Sequence, residues 1–435
     1  MAASKIYDVI IVGAGAAGLT CARHLSGAGK KVCVLEARDR VGGRIYSLPH
    51  DIEPIELGAE FLHGVHPILN DLIQEQNGSF VTAPEKHLFL KGRSMIPLKN
   101  FDKEFGKIIN KLNANPKNDR SVADFLKTLK NVPDEYRQSF IAYVEGFQGA
   151  DIELIGEKSL ALAEQEDEGE IGGDGAFRPL QRYASYFENM LGQKINALVH
   201  LQHIVKKIEW SQKHVIVTTN TKEKQGVRFQ ARHVVVTVPL AVLQNNQPLS
   251  RIEFAPALTE ITEALQGYHM GHVQRIIFEF KERFWEKLSK EPVVFMRAGP
   301  DHYFPTWWTK KPIHNNILIA WQGGPKAWEM ATWTSQERAF KALSTLSKMT
   351  RKSQNYLIEN LETYYTYNWS RDPFSLGAYS YTGVERKKSR HRITEPIQGK
   401  IWLAGEAFAK KSSQGTVHGA METGRQVAAS ILKKI

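Results

Sequence analysis

Cysteine is almost missing from this chain: two in 435 residues, Cys21 and Cys33, one expected on the first helix and one on the second strand. Thiols so few and so placed exclude a disulfide framework and predict a reducing compartment. No apolar run approaches the roughly 20 residues needed to cross a bilayer. A strand is expected to begin by Tyr7, which leaves no room for a cleavable leader, and the C-terminal "AASILKKI" is too short for an anchor. These absences predict a cytoplasmic protein with no membrane anchor. Internal repeats and low-complexity linkers are also missing. A chain of 435 residues is too long for one ordinary core, so two interleaved domains sharing an interface are expected rather than beads on a string.

Apolar residues at 42% and charged residues at 24% are ordinary for a globular protein. The net charge of +11 would suit nucleic acid or an acidic surface, but lysine and arginine are spread along the whole chain without a nucleic-acid motif, so no such partner is expected. No metal site is expected either. The clearest local exception to the basic surface is "EQEDEGE", Glu164 to Glu170, which is a solvated loop unless the substrate is a polycation for it to recruit.

What is present begins at the N-terminus. "YDVIIVGAGAAGLTCARHLSGAGKKVCVLEARDRVGGR" reads as an apolar strand over Asp8 to Val12, running into Gly13, Gly15 and Gly18. An amphipathic helix follows to about Ser26, then a second strand over Val32 to Leu35 that ends on Glu36. This is the βαβ dinucleotide fingerprint in its required context. Gly13 permits the tight turn, Gly15 lets the backbone approach a pyrophosphate at the helix N-terminus, and Gly18 lets helix and strand pack closely. Glu36 is placed to accept hydrogen bonds from ribose hydroxyls and disfavours a 2′-phosphate. The glycines alone fit NAD or FAD. "RDRVGGR", which puts Gly42, Gly43 and Arg44 directly after the second strand, points to FAD. So does the tail, a strand over Ile401 to Ala404, Gly405-Glu406, a loop, and a helix from about Thr416.

With these residues in view, "GAGAAG", "LEARDRVGGR", "ELGAEFLHG", "FPTWW", "NWSRDPFSLGAYSY" and "LAGEAFAKKSSQGTVHGA" together resemble the flavin-containing amine oxidases: polyamine oxidases, monoamine oxidases and lysine-specific histone demethylases. The resemblance runs in order from residue 6 to residue 432. It implies an α/β fold in which a Rossmann-like FAD-binding domain, residues 1–80, 195–265 and 392–435, is interleaved with an α+β substrate-binding domain, residues 81–194 and 266–391. It implies FAD contacts at Ala16, Ala17, Ala37, Arg38, Gly58, Ala59, Glu60 and Val417 beside the glycines, Glu36, Arg44 and Glu406 already named. Val205 resembles the family's adenine contact, and Trp369 the tryptophan packed near the isoalloxazine.

On the substrate side, Tyr379 in "SLGAYSY" resembles one wall of the amine-binding aromatic cage. Thr416 stands where monoamine oxidases place the second tyrosine, so a two-tyrosine cage is not expected, and this version resembles polyamine oxidases and histone demethylases. Ala378 takes the place of the cysteine that carries covalent flavin, implying non-covalent FAD. His63 in "EFLHG" matches a histidine near the active site of polyamine oxidases, although a lone histidine is more often structural. The implied reaction is oxidation of a polyamine or another primary or secondary amine to an imine, by hydride transfer to flavin N5. Hydrolysis then gives an aldehyde plus amine, and oxygen or another acceptor re-oxidises the flavin. A desaturation of a non-amine substrate, or a non-enzymatic flavin-binding module, would fit the nucleotide motifs equally.

One residue departs from the family. "GHVQRIIFEFKERFW", Gly271 to Trp285, reads as a strand with Ile276, Phe278 and Phe280 on one face and Val273, Arg275 and Ile277 on the other. A guanidinium in apolar company demands a partner. Arg275 aligns with the lysine that reaches flavin N5 through a water in nearly all members, so it is expected to face the flavin and to slow the reaction with oxygen. The alternative is an arginine paired with a nearby carboxylate or turned out of the site.

Overall fold

The structure is a computed structural model, and it describes residues 6–64, 66–97, 101–166, 175–193, 197–384, 393 and 395–435. The chain opens with strand β1 (Ile6–Val12), helix α1 (Ala16–Gly27) and strand β2 (Val32–Leu35), with β1 and β2 parallel. Gly13 takes φ +106, a value L side chains rarely adopt, so the strand turns sharply into the helix. A Cβ on Gly18 would lie 2.0 Å from the Gly13 carbonyl oxygen. That position has no room for anything but hydrogen.

An eight-stranded sheet grows around this unit. Its order is Leu198–His200, β2, β1, β3 (Val227–Val236), Val215–Asn220, Ile204–Trp210 and Glu253–Ala255, with Ile401–Leu403 also paired to β3. Strands from three separated stretches of sequence therefore share one sheet. Its centre is parallel and covered on both faces, which is why β1, β2 and the end of β3 are almost continuously apolar. One face packs against α1 and the C-terminal helix α2 (Val417–Leu432) through Val9, Ile11, Leu19 and Met421; the other packs against Leu240, Ile261 and Leu265. At Gly424 a Cβ would sit 2.2 Å from the Ala17 carbonyl oxygen, so glycine lets α2 lie directly on α1.

The second sheet has seven strands, in the order Leu361–Thr366, β4 (Val273–Phe280), β7 (Ile317–Gly323), β6 (Thr306–Thr309), β5 (Phe295–Arg297), His87–Lys91 and Ser94–Ile96. The even-numbered side of β4, Ile276, Phe278 and Phe280, packs with Trp307, Leu318 and Ala320 beneath the helix Ser335–Thr350. The opposite side carries Arg275 and turns toward the first sheet. Helix Val122–Thr128 starts at the Ser121 cap read from sequence, with the Asp124 N–H donating to its hydroxyl at 3.1 Å. The acidic run is mostly outside the described residues; at its start Glu164 accepts a hydrogen bond from the Tyr143 hydroxyl at 2.6 Å.

Candidate active site

Between the two sheets runs a cavity of about 610 Å³. At one end it is lined by Glu36, Ala37, Arg38 and Val205, along its middle by Gly13, Gly15, Ala16, Ala17, Gly42, Gly43, Arg44, Gly405, Glu406, Thr416 and Val417, and beyond them by Gly58, Ala59, Glu60, Trp369, Arg275, His63 and Tyr379. Every site residue read from sequence except Gly18 therefore meets one cavity. Gly18 serves the packing of α1 on Gly13 instead.

The carboxylate of Glu36 is fixed by two backbone N–H groups, Ala14 at 2.7 Å and Arg38 at 2.9 Å, and its remaining lone pairs are free for hydroxyl donors. Arg38 donates to Asp372 at 2.5 Å and to Ser375 at 3.0 Å. Arg44 donates to the Ala378 carbonyl at 2.7 Å and to Glu406 at 2.9 Å, while the other Glu406 oxygen accepts from the Ser380 hydroxyl at 2.6 Å. Both arginines thus clamp the loop around residues 368–380 onto the nucleotide-binding turn. A Cβ added at Gly15 would meet nothing nearer than 4.0 Å and one at Gly405 nothing within 4 Å. Space is left at both, in contrast to Gly18. At Gly58 a Cβ would lie 1.9 Å from the Arg44 carbonyl, so that glycine is required by the fold itself.

Arg275 has a carboxylate partner that the sequence reading had allowed for without naming. Its guanidinium donates to Glu60 and, at 2.9 Å, to the Gly58 carbonyl. Glu60 also accepts from Arg178 at 3.0 Å and lies 3.5 Å from Lys310, which pairs with Glu53 at 2.8 Å. All five side chains are buried. Burial alone would raise the Glu60 carboxyl, but Arg275, Lys310 and Arg178 overcome that and hold it well below the usual carboxylate range. Glu60, read as a cofactor contact, has both oxygens engaged with cations and acts as the counter-ion that positions Arg275. Arg275 lines the cavity as well, so the pairing and the cavity-facing placement hold together.

Tyr379 lines the cavity with its hydroxyl given to the Phe147 carbonyl at 2.6 Å, and burial raises its phenol above the ordinary range. The Thr416 hydroxyl donates to Ser413 at 2.8 Å and accepts from the Gly419 N–H at 3.0 Å, capping α2. Its proton is therefore spent on the backbone. Trp369 donates to the Leu57 carbonyl at 2.8 Å. His63 turns its ring into the cavity beside Phe147, centroids 5.3 Å apart. It shows surface to the cavity yet lies deep in the molecule, and desolvation pushes its imidazole down to about 4. The cage walls that sequence reading missed are Tyr143, Phe147, Gln148 and Trp321. The first three come from a helix and turn whose aromatics look like ordinary core residues in sequence.

Residues 16–432 match the flavin containing amine oxidoreductases. The chain belongs to that family. Like other amine oxidoreductases of the family, it is similar over nearly its whole length to probable polyamine oxidase 4 of Arabidopsis thaliana, 28% identical and covering 96% of this chain and 85% of that protein. It is also similar to lysine-specific histone demethylase 1 homolog 1 of the same plant, 25% identical, covering 98% of this chain and 52% of that one. Among solved structures, wild-type putrescine oxidase bound to putrescine shares the fold with a TM-score of 0.79 at 20% identity, covering 99% and 100% of the two chains. Cyclohexylamine oxidase from Brevibacterium oxydans IH-35A does so with 0.80 at 21%, covering 99% of each. The residues of this amine oxidoreductase fit FAD: a buried fixed carboxylate stands where the ribose belongs, and open glycines face the cavity where a pyrophosphate would pass. Among the described residues no helix is long and apolar enough to cross a membrane.

Proposed function

We propose that this member of the family oxidises a primary or secondary amine to an imine, which water hydrolyses to a carbonyl compound and an amine. The observation that carries the reading is the continuity of the cavity, from a ribose-type carboxylate at Glu36 to an aromatic chamber at Tyr379. Bound FAD would supply the two-electron acceptor for hydrogen leaving the carbon beside the amine nitrogen. Glu36 and the turn at Gly13 and Gly15 would hold its nucleotide half, Val205 its adenine, and Trp369 and Arg275 its ring.

The protein's part is to bind, orient and dry the amine. Tyr379, Phe147, Trp321 and Trp308 enclose the chamber, and apolar walls favour the neutral amine over its ammonium. His63, at about 4, is too weak a base to strip an ammonium of pKa near 10, a transfer uphill by roughly six powers of ten. It can orient the amine by a hydrogen bond. Thr416 shapes the floor of the chamber through its cap. Non-covalent attachment is supported by Ala378 and by the two cysteines, which are buried in α1 and β2 and lie off the cavity. Cysteines outside any disulfide also support a cytoplasmic setting. The two-sheet division supports the interleaved domains at residues 1–80, 195–265 and 392–435 against 81–194 and 266–391.

The deciding experiment mixes the purified yellow protein with a panel of amines under anaerobic conditions and follows flavin absorbance. Bleaching by at least one amine is expected, together with release of intact FAD on acid precipitation. A panel of amines that leaves the flavin oxidised, while a non-amine reduces it, would overturn the reading.

A further inference from the structure

Four arginines line the cavity, and three have carboxylate partners: Arg38 with Asp372, Arg44 with Glu406 and Arg275 with Glu60. The fourth is Arg297. Among the described residues its guanidinium makes no ion pair and no hydrogen bond, and its Nε is shielded from solvent with no partner. Desolvation lowers the stability of its charged form. Glu85 lines the same cavity. A guanidinium half-buried against the cavity, with its Nε shielded and no partner for its charge, is a place to look for a ligand that supplies the missing charge.

The register of the sheet says where this cation stands. Arg297 lies opposite Thr306, Thr306 opposite Trp321, and Trp321 opposite Arg275. Directly paired residues share a face, and all four line the cavity. Thr306, next in the row, also has a hydroxyl with no hydrogen-bond partner in the protein among the described residues. Strand spacing puts Arg297 three strands from Arg275, roughly 14 Å between Cα atoms, with Trp321 between. Phe295 lies on the same face of its strand, stacked on His87 at 4.9 Å between centroids. His87, pushed down to about 3 by burial and by Arg297, stays neutral and adds no charge. The far end of the chamber is therefore cationic and supplied with two unused donors.

We propose that Arg297 and Thr306 form an anion subsite, and that the substrate is an amine bearing a carboxylate remote from the reacting nitrogen rather than a polycation. The planar guanidinium fork matches a carboxylate, and Thr306 supplies a further donor. An alkyl chain between the two ends of the substrate would lie along Trp321 and Trp308. This rests on the amine-oxidation reading and narrows its substrate class.

The test is calorimetric titration of the flavoprotein, with its flavin reduced beforehand so that no turnover occurs, using three ligands of one length: 6-aminohexanoate, hexylamine and 1,6-diaminohexane. The wild type is expected to bind the amino acid at least tenfold more tightly than hexylamine, and the diamine no more tightly than hexylamine. Arg297→Gln should bring the amino acid to within about twofold of hexylamine while leaving hexylamine itself unchanged. Thr306→Val should cost the amino acid alone about threefold. A diamine that binds better than the amino acid, or an amino-acid preference that survives Arg297→Gln, overturns the proposal. If Arg297→Gln does not fold, the wild-type ranking and Thr306→Val decide by the same criteria. Should amines bleach the flavin while the diamine binds best, amine oxidation stands and the anion subsite falls. Should no amine bleach it while the Arg297-dependent preference holds, the reverse is true.

Discussion

Two glycines of the same motif perform different work, and substitution should separate them. Gly18 is required by packing, since a Cβ there would meet the Gly13 oxygen at 2.0 Å, whereas Gly15 leaves open space with φ in the ordinary range. Gly18→Ala should therefore lower the melting temperature of the flavin-free protein, by several degrees for about 1–3 kcal/mol of overpacking. Gly15→Val should leave that temperature within about 1 °C and abolish flavin retention instead. Equal melting losses in both would refute the division. Arg275 calls for a different test. Tied to Glu60 and the Gly58 carbonyl, its charge is fixed and its bulk is held at the cavity wall. The expected result in stopped-flow absorbance is that Arg275→Lys speeds re-oxidation by air with little change in reduction by amine. Glu60→Gln, by contrast, leaves three buried cations around one neutral group and should destabilise the protein by about 3–5 kcal/mol.

At the scale of elements, the contact between α1 and α2 holds the cavity floor. Both helices present their first residues to it, Ala16 and Ala17 from one and Val417 from the other, and they touch where Gly424 leaves 2.2 Å between a would-be Cβ and the Ala17 oxygen. Gly424→Val should push the helices apart, lower the melting temperature and weaken flavin binding together. Flavin affinity unchanged in a destabilised Gly424→Val protein would show that the floor does not depend on this contact. The local elements here were legible in advance. The Val32–Leu35 strand, the Ser121 cap and the helix starting beside Thr416 follow from apolar period, capping chemistry and glycine placement, which act within a few residues. The seven-stranded sheet was not, because its row of Arg297, Thr306, Trp321 and Arg275 joins residues that no local rule connects. An arginine in the same phase as Phe295 at the end of a short apolar strand was the one available signal for Arg297.

For the whole molecule, pH should act through buried histidines. Burial pushes His87 and His418 down to about 3 and His272 to about 4, from an ordinary 6.5. Their folded values lie below the unfolded value, so the fold is unpenalised above about pH 6.5 and loses stability as pH falls toward 4. Burial raises Glu56 and Glu145 to about 7. Their folded values lie above the unfolded ones, so they favour the fold at low pH and lose that contribution as pH rises through 7. Three histidines oppose two carboxyls, and the melting temperature should fall from pH 6.5 to 4.5. His418→Gln should flatten that fall by about 1.4 kcal/mol per pH unit; an unchanged slope would mean that His418 is protonated in the folded state.

By itself the sequence determined the nucleotide-binding turn, the family and a set of residues that, Gly18 apart, meet the cavity, because those positions are set by backbone constraints and short-range pattern: a glycine where no Cβ fits, an acid at a strand end, a cap at a helix start. Only the tertiary structure decided what the charges do. Whether an arginine is neutralised depends on which carboxylate comes within about 4 Å of it, and Glu60 is 215 residues from Arg275 along the chain. Among the described residues Arg275 found such a partner and Arg297 did not, and in sequence the two look alike.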